Sequence, residues 1–425
     1  MKEKFIILSF DAVDTNDFKY IKTLPNFKKL MEQSSYSDIV KSVYPSLTYP
    51  AHVSISTGKY PINHGIVNNI KIEPFRKNPD WFWEQKYIKG PTIYDVAKES
   101  GFRTCALLWP VTAKSKTIEL NLPEVFANRP WQNQILVSAL NGTLSFQLKL
   151  NNLFGKLRDG LNQPNLDNFT FESLMYVLKN DLADFILVHL TDVDTHKHNF
   201  GIKSPKIKEA LNRHDDRLGK IINFLEDNNI YENSTLIALG DHSFKDADYV
   251  IKLNKFFLDK GYIKVDNKNK ITSWDIYCNY CDGSAYIYIN KDSNISRETV
   301  YVLINNFSKD NNKCIKNIYS NKEAISFGAD KNCDFMLEAN DGYYFINSID
   351  GDIIEETSGN HDVATHGYFP ESLDYRTFFM IKGPNIKKNN YIGDMSLVDE
   401  GTTILNMLNH SIKECDGKIL DIFKI

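Results

Sequence analysis

The run D-F-I-L-V-H-L-T-D-V-D-T-H-K-H-N-F-G, Asp184 to Gly201, decides how the rest of the chain is read. Phe185 to Leu190 has the length and β-rich character of a buried strand. It empties at once into Asp192, Asp194, His196 and His198. Carboxylates and imidazoles just past such a strand offer the mixed oxygen and nitrogen donors of a zinc-type site on a rigid support. Two other apolar runs end the same way. Lys4 to Phe10 delivers Asp11, and Ser234 to Gly240 delivers Asp241 and His242. If these strands lie parallel in one sheet, their carboxyl ends open onto one crevice, where ligands of open α/β sheets bind.

With 425 residues, 42% of them hydrophobic, the chain can bury a large core, as two or three domains or as one core with an insertion. A formal charge of −4 gives no basic footprint and speaks against nucleic acid as the main partner. No apolar run approaches the roughly 18 residues of a membrane span. Met1 to Lys4 leads into only six mostly apolar residues before Asp11, so no secretory signal is expected. The six cysteines (105, 278, 281, 314, 333, 415) are scattered and too few to staple the chain, which points to reduced thiols and a cytoplasmic protein. Cys278-x-x-Cys281 has no partner pair nearby and is read as incidental.

In chain order, the pattern predicts a helix from Pro25 to Ser34 and another starting near Pro50 and ending at Gly58. Thr48, just ahead of that start, either caps the helix or serves as a nucleophile. Trp81-Phe82-Trp83 either lines a pocket that stacks a planar group or packs in a core. Further helices are expected at Thr92–Ser100, within 128–182 and at Pro205–Asn228, with a strand at Arg103–Trp109. The charged run Arg213 to Arg217 reads as a solvated helix face. From Phe244 to about Gly359 short alternating runs sit among Asn, Asp, Lys and Gly turns, the texture of an inserted α/β subdomain (246–359) within a core of 1–245 and 360–425.

Asp11, Asp194, His198, Asp241, His242 and His366 supply three carboxylates and three imidazoles, enough for two cations. Two metals roughly 3.5–4 Å apart can clamp the attacking and leaving oxygens of a phosphoryl transfer. The signposts continue in order: P-S-L-T-Y-P-A-H around Thr48, T-G-K-Y-P-I-N-H-G-I-V-N-N at 57–69, Trp109-Pro110, D-T-H-K-H-N-F-G at 194–201, G-D-H at 240–242 and T-H-G-Y at 365–368. The ordered series resembles the alkaline phosphatase superfamily, most closely its nucleotide pyrophosphatase/phosphodiesterase-like branch.

The resemblance implies an alkaline phosphatase-like sandwich, a mostly parallel central sheet between helices, and a two-zinc phosphodiesterase or nucleotide pyrophosphatase acting on a small phosphate ester. One metal would be held by Asp194, His198 and His366. The other would be held by Asp11, Asp241 and His242, with the Thr48 oxygen as a further ligand. Thr48 would be the nucleophile and form a phospho-threonine, while Asn69 and the Thr48 N–H would face a non-bridging oxygen. Asp194 is preferred to Asp192 because the D-x-x-x-H-x-x-G spacing fits the family pattern. Leu47 and Ser243 depart from that pattern, and His196 and His361 are extra imidazoles near ligand positions. A sulfatase would need Cys or Ser where Thr48 stands. No arginine precedes Arg76, which favours diesters over monoesters. A phosphonate hydrolase or phosphomonoesterase on the same core, and a non-catalytic metal-bound binding protein, are the rival readings.

Overall fold

Three apolar strands form the middle of the molecule, a computed structural model that describes residues 3–424. They are β1 (Phe5–Phe10), β5 (Phe185–Leu190) and β6 (Thr235–Leu239), and every residue in them is buried. Around them lie β2 (Ser35–Lys41), β3 (Thr104–Leu107), β4 (Leu120–Leu122) and β7 (Thr377–Lys382). The nine-stranded sheet runs 390–391, β2, β7, β6, β1, β5, β3, β4, with 395–396 also paired to β2. Among the described residues only β7 runs antiparallel to its neighbours, so the expected mostly parallel sheet is present with one reversed strand.

Side chains alternate across the sheet, and both faces are apolar, as they must be when helices cover both. Ile6, Leu8 and Phe10 face helices α1 (Pro25–Glu32), α3 (Asn165–Lys179) and α5 (Pro205–Asp227). Ile7, Leu187 and Ile237 face α2 (Thr48–Thr57) and the helix Leu397–Met407. Each fully buried Leu or Ile contributes about 2 kcal/mol to holding these layers together. Phe10 pairs with Leu190 and Ser9 with Leu239. Asp11, Thr191 and Gly240 therefore leave the sheet along one edge. α4 (Asp192–Phe200) begins directly after β5 and carries Asp194 and His198.

The run Arg213 to Arg217 is not a solvated face. His214, Asp215 and Arg217 are buried, Arg213 is half-buried, and only Asp216 is exposed. α5 is flanked on two sides, and these polar groups are consumed there. Arg213 and Arg217 grip Asp192, while Asp215 accepts the N–H groups of Asn26 (3.0 Å) and Phe27 (2.8 Å) at the start of α1. His214 packs edge-on against Phe10.

Residues 276–339 hold a four-stranded antiparallel sheet in the order Ile276–Cys281, Ser284–Ile289, Phe335–Ala339, Ile315–Ser320, with the helix Arg297–Asp310 and an apolar cluster of its own. The strand Lys245–Ile251 pairs with Gly342–Phe345, Ile354–Glu356 and Ala364–Thr365. His366 follows directly. Glu338 of this region accepts the Tyr44 hydroxyl at 2.6 Å and the Phe369 N–H, tying it to the core. All six cysteines are free.

Candidate active site

Where β6 ends, Gly240 leaves no room for a side chain, since a Cβ there would lie 2.1 Å from the Val13 carbonyl. That tight approach sets Asp241 beside the Asp11 turn, and its Oδ1 accepts the Ala12 N–H at 3.0 Å. Ligand atoms of Asp11, Asp241 and His242 lie within 4.8 Å of one another. Those of Asp194, His242 and His366 do the same. The family resemblance implies His198, not His242, beside Asp194 and His366; in the structure His242 stands between the two groups. His198 adjoins them, its Nε2 3.5 Å from Asp194 Oδ1 and its ring 5.3 Å from that of His366. His198 Nδ1 donates to the Ala364 carbonyl at 3.1 Å, so Nε2 is the nitrogen that faces Asp194; burial opposes protonation, but the Asp194 and Asp362 carboxylates raise the ring to about 9, a proton that a cation would displace.

The chemistry of this donor set fits divalent cations. Asp11 Oδ1, Asp194 Oδ1, Asp241 Oδ2, His242 Nδ1 and His366 Nδ1 are all buried without a hydrogen-bond partner. An unsatisfied buried polar atom costs about 1–3 kcal/mol, more when charged, so a cluster of them calls for a ligand. Burial, then the charges of Asp194 and Asp241, push the Asp11 carboxyl well above its ordinary range. Burial raises Asp241 to about 7, and burial with neighbouring imidazoles holds His242 well below its usual value. Neutral imidazoles beside crowded carboxylates are ready to coordinate, and a cation would relieve the crowding.

Thr48 is the first residue of α2, not its cap. Leu47 occupies the cap position without a side-chain bond, so the hydroxyl is left over for other work. Its Oγ1 lies 3.2 Å from His242 Nε2, at the junction of the two ligand groups. At the helix start Pro50 has no N–H, Ala51 donates to the Leu47 carbonyl and Tyr49 to Asn69, which leaves the Thr48 N–H, with the partial positive charge of the helix end, for this spot. The Tyr49 N–H donates to Asn69 Oδ1 at 2.9 Å, which leaves the Asn69 amide NH2 available to the cavity that Asn69 lines.

Two histidines and a serine not singled out from the sequence complete the support. His52 donates from Nδ1 to the Thr48 carbonyl (2.8 Å), so its Nε2 accepts the Ser9 hydroxyl proton (2.9 Å). Burial keeps the His52 ring neutral, lowering it to about 3. Ser9 Oγ meets His189 Nδ1 at 3.3 Å, and His189 Nε2 lies 3.2 Å from Asp11 Oδ2. Ser9 thus ties the start of α2 to His189, whose Nε2 stands against the Asp11 carboxyl on β1 without a hydrogen bond between them. The one signal was polarity in apolar places: Ser9 and His189 interrupt otherwise apolar strands, and His52 lies one turn after Thr48.

A cavity of about 680 Å³ opens from Thr48, Asp11, Asp194, His198 and His366 past Tyr49, Trp81 and Phe126. Trp81 packs edge-on against both Tyr49 and Phe126, while Trp83 backs Phe126, so pocket lining and packing are both realised in the cluster. Glu124 also lines the cavity, its Oε2 unpartnered and its carboxyl raised to about 8, mainly by burial. Asp192 points elsewhere, held by Arg213 and Arg217; His196 bonds to Asp192, and His361 to Glu355.

The family model for type I phosphodiesterase/nucleotide pyrophosphatase matches residues 5–369. The chain belongs to this family. Human ectonucleotide pyrophosphatase/phosphodiesterase family member 1 is 26% identical over 257 residues, covering 57% of this chain and 24% of that protein. The chain thus matches about a quarter of that relative's length. An uncharacterised pyrophosphatase/phosphodiesterase of Schizosaccharomyces pombe is 22% identical over 423 residues, 95% of this chain and 76% of that one. Among solved structures, an inactive variant of murine ectonucleotide pyrophosphatase/phosphodiesterase 5 in complex with AMP superposes with a TM-score of 0.67 at 19% identity, covering 98% of both chains. The human counterpart gives 0.66 at 19% identity, covering 99% of this chain and 100% of that one. The fold of this type I phosphodiesterase family member is accordingly alkaline phosphatase-like.

Proposed function

We propose that the protein hydrolyses phosphodiester or nucleotide pyrophosphate bonds, with Thr48 as nucleophile. The observation that carries the reading is the buried Thr48 hydroxyl, 3.2 Å from His242, at a helix start and between two sets of metal-type ligands. Asp11, Asp241, His242 and Thr48 would hold one divalent cation and Asp194, His198 and His366 the other, zinc by the character of the donors. When bound, the pair supplies Lewis-acid stabilisation of the phosphoryl oxygens and lowers the pKa of a coordinated hydroxyl.

The chain's own groups define the remaining steps. Thr48 Oγ1 attacks phosphorus in line, the bond to the leaving oxygen breaks, and a phospho-threonine forms. Water then attacks the same phosphorus and returns the Thr48 hydroxyl. The Asn69 NH2 and the Thr48 N–H would hold a non-bridging oxygen as its charge grows. Tyr49, Trp81 and Phe126 offer an aromatic wall to a planar leaving group, in keeping with a nucleotide. Among the described residues Arg158 is the only Lys or Arg lining the cavity, so the second charge of a monoester dianion would meet no dedicated cation beside Thr48.

Bis-p-nitrophenyl phosphate, p-nitrophenyl phosphate and a phosphonate ester, assayed side by side before and after chelation, test the reading. Diester turnover should exceed the other two and vanish with chelator. Monoester or phosphonate preference overturns the diester assignment, and chelator-insensitive turnover overturns the metal assignment.

A further inference from the structure

Nine of the eighteen large apolar side chains exposed among the described residues fall within the 31 residues from Trp131 to Leu161. Two short helices, Gln134–Asn141 and Leu144–Phe154, carry most of them. Leu136 and Leu140 are four apart on the first, and Leu144 and Leu148 four apart on the second, so each pair stacks on one helix face. Trp131 is 80% exposed, Leu140 75% and Leu136 62%. Single exposed apolar residues need no explanation, but this concentration marks a surface that meets something apolar.

Charge decides what. In a chain of net charge −4, residues 131–161 carry Lys149, Lys156 and Arg158 against the single acid Asp159. Lys149 and Lys156 are exposed beside the leucines. Apolar side chains flanked by cations complement an anionic lipid surface, with the leucines entering the acyl boundary and the ammonium groups at the headgroups. Among the described residues no helix is long and apolar enough to cross a membrane, and these two, of 8 and 11 residues, suit an in-plane position. Ile135 and Leu161 are exposed yet also line the 680 Å³ cavity, so the surface runs into the mouth of the site.

We propose that the 131–161 helical hairpin docks the protein on an anionic lipid bilayer, with the cavity mouth turned to that surface. Binding is read without reference to turnover, so the test stands apart from the proposed chemistry. The full chain is sedimented with phosphatidylcholine vesicles and with vesicles containing 30 mol% phosphatidylglycerol, as an experimental choice of roughly physiological anionic content. The protein should pellet with the anionic vesicles and be released as salt rises. Leu136→Asp combined with Leu140→Asp should weaken that binding at least about tenfold while leaving thermal stability and soluble-diester turnover unchanged. Lys149→Glu combined with Lys156→Glu should weaken it and flatten the salt dependence. Failure to bind anionic vesicles overturns the proposal, as does unaltered binding by the leucine variant. A concentration-dependent dimer that the leucine variant abolishes, without vesicle binding, assigns the face to a second copy of the chain instead.

Discussion

Asp192 accepts both Nε and Nη2 of Arg213, at 2.7 and 2.8 Å, in a fork that locks the first turn of α4 onto α5. Burial opposes ionisation of Asp192, but Arg213 and His196 overcome it and hold the carboxyl far below its usual range. Truncating one member of a buried pair strands the other. Asp192→Ala should lose about 3–5 kcal/mol in denaturant unfolding. Arg213→Lys should recover only part of an Arg213→Ala loss, because an ammonium cannot make the two-pronged contact.

Thr48→Ala should still bind metal, measured by metal content after gel filtration, yet turn over diesters slower by several orders of magnitude. Near-normal turnover would remove Thr48 from the chemistry.

The Ser9 hydroxyl joins His52 to His189, whose ring packs 3.2 Å from the Asp11 carboxyl. Ser9→Ala opens this chain without touching a ligand. We expect metal affinity to fall about 10- to 100-fold, in the range of other outer contacts to ligating groups. Competition titration against a chromophoric chelator reads it, and unchanged affinity would reduce the Ser9 contacts to packing.

Removing divalent cations should lower the melting temperature as well as the activity, since the orphaned carboxylate and imidazole atoms are then left buried without a partner. Zinc at about 100 times its dissociation constant should restore roughly 2.7 kcal/mol. A melting curve indifferent to chelator and zinc would contradict the ligand assignment.

Glu338 gives a pH signature. Burial raises its carboxyl to about 7 against the hydrogen bonds from Tyr44 and Phe369, which favour ionisation. Its folded value lies above the unfolded one, so the folded chain binds the extra proton between about 4.5 and 7. The associated stability is complete below about 4.5 and lost as pH rises through 7. The loss should not exceed about 3 kcal/mol. Glu338→Gln should flatten the slope of unfolding free energy across that window.

The central strands and most helices were legible because apolar periodicity and proline or glycine punctuation are local signals. Asp11, Asp194 and Asp241 were legible for the same reason, each standing one or a few residues past such a run. The Arg213–Arg217 run was misread because charge alone does not reveal partners: Asp192, Asn26 and Phe27 are distant or differently framed in the text. His242 at the meeting of both ligand groups was equally hidden, since which neighbour a side chain reaches depends on how the loops after β5 and β6 approach each other. Glu124 lies on a segment without any motif, and only the cavity wall exposes its isolation.

His366 is the one candidate ligand that the chain supplies after residues 246–359, and it is pinned from two directions. Gly283 donates to its carbonyl, and the next residue, Gly367, donates to the carbonyl of Ser46, two positions before Thr48. A truncation that excises residues 246–359 would therefore remove a strut that holds His366 beside the segment leading to Thr48. The distant-looking appendage and the Thr48 segment would have to be inherited, engineered or lost as a unit.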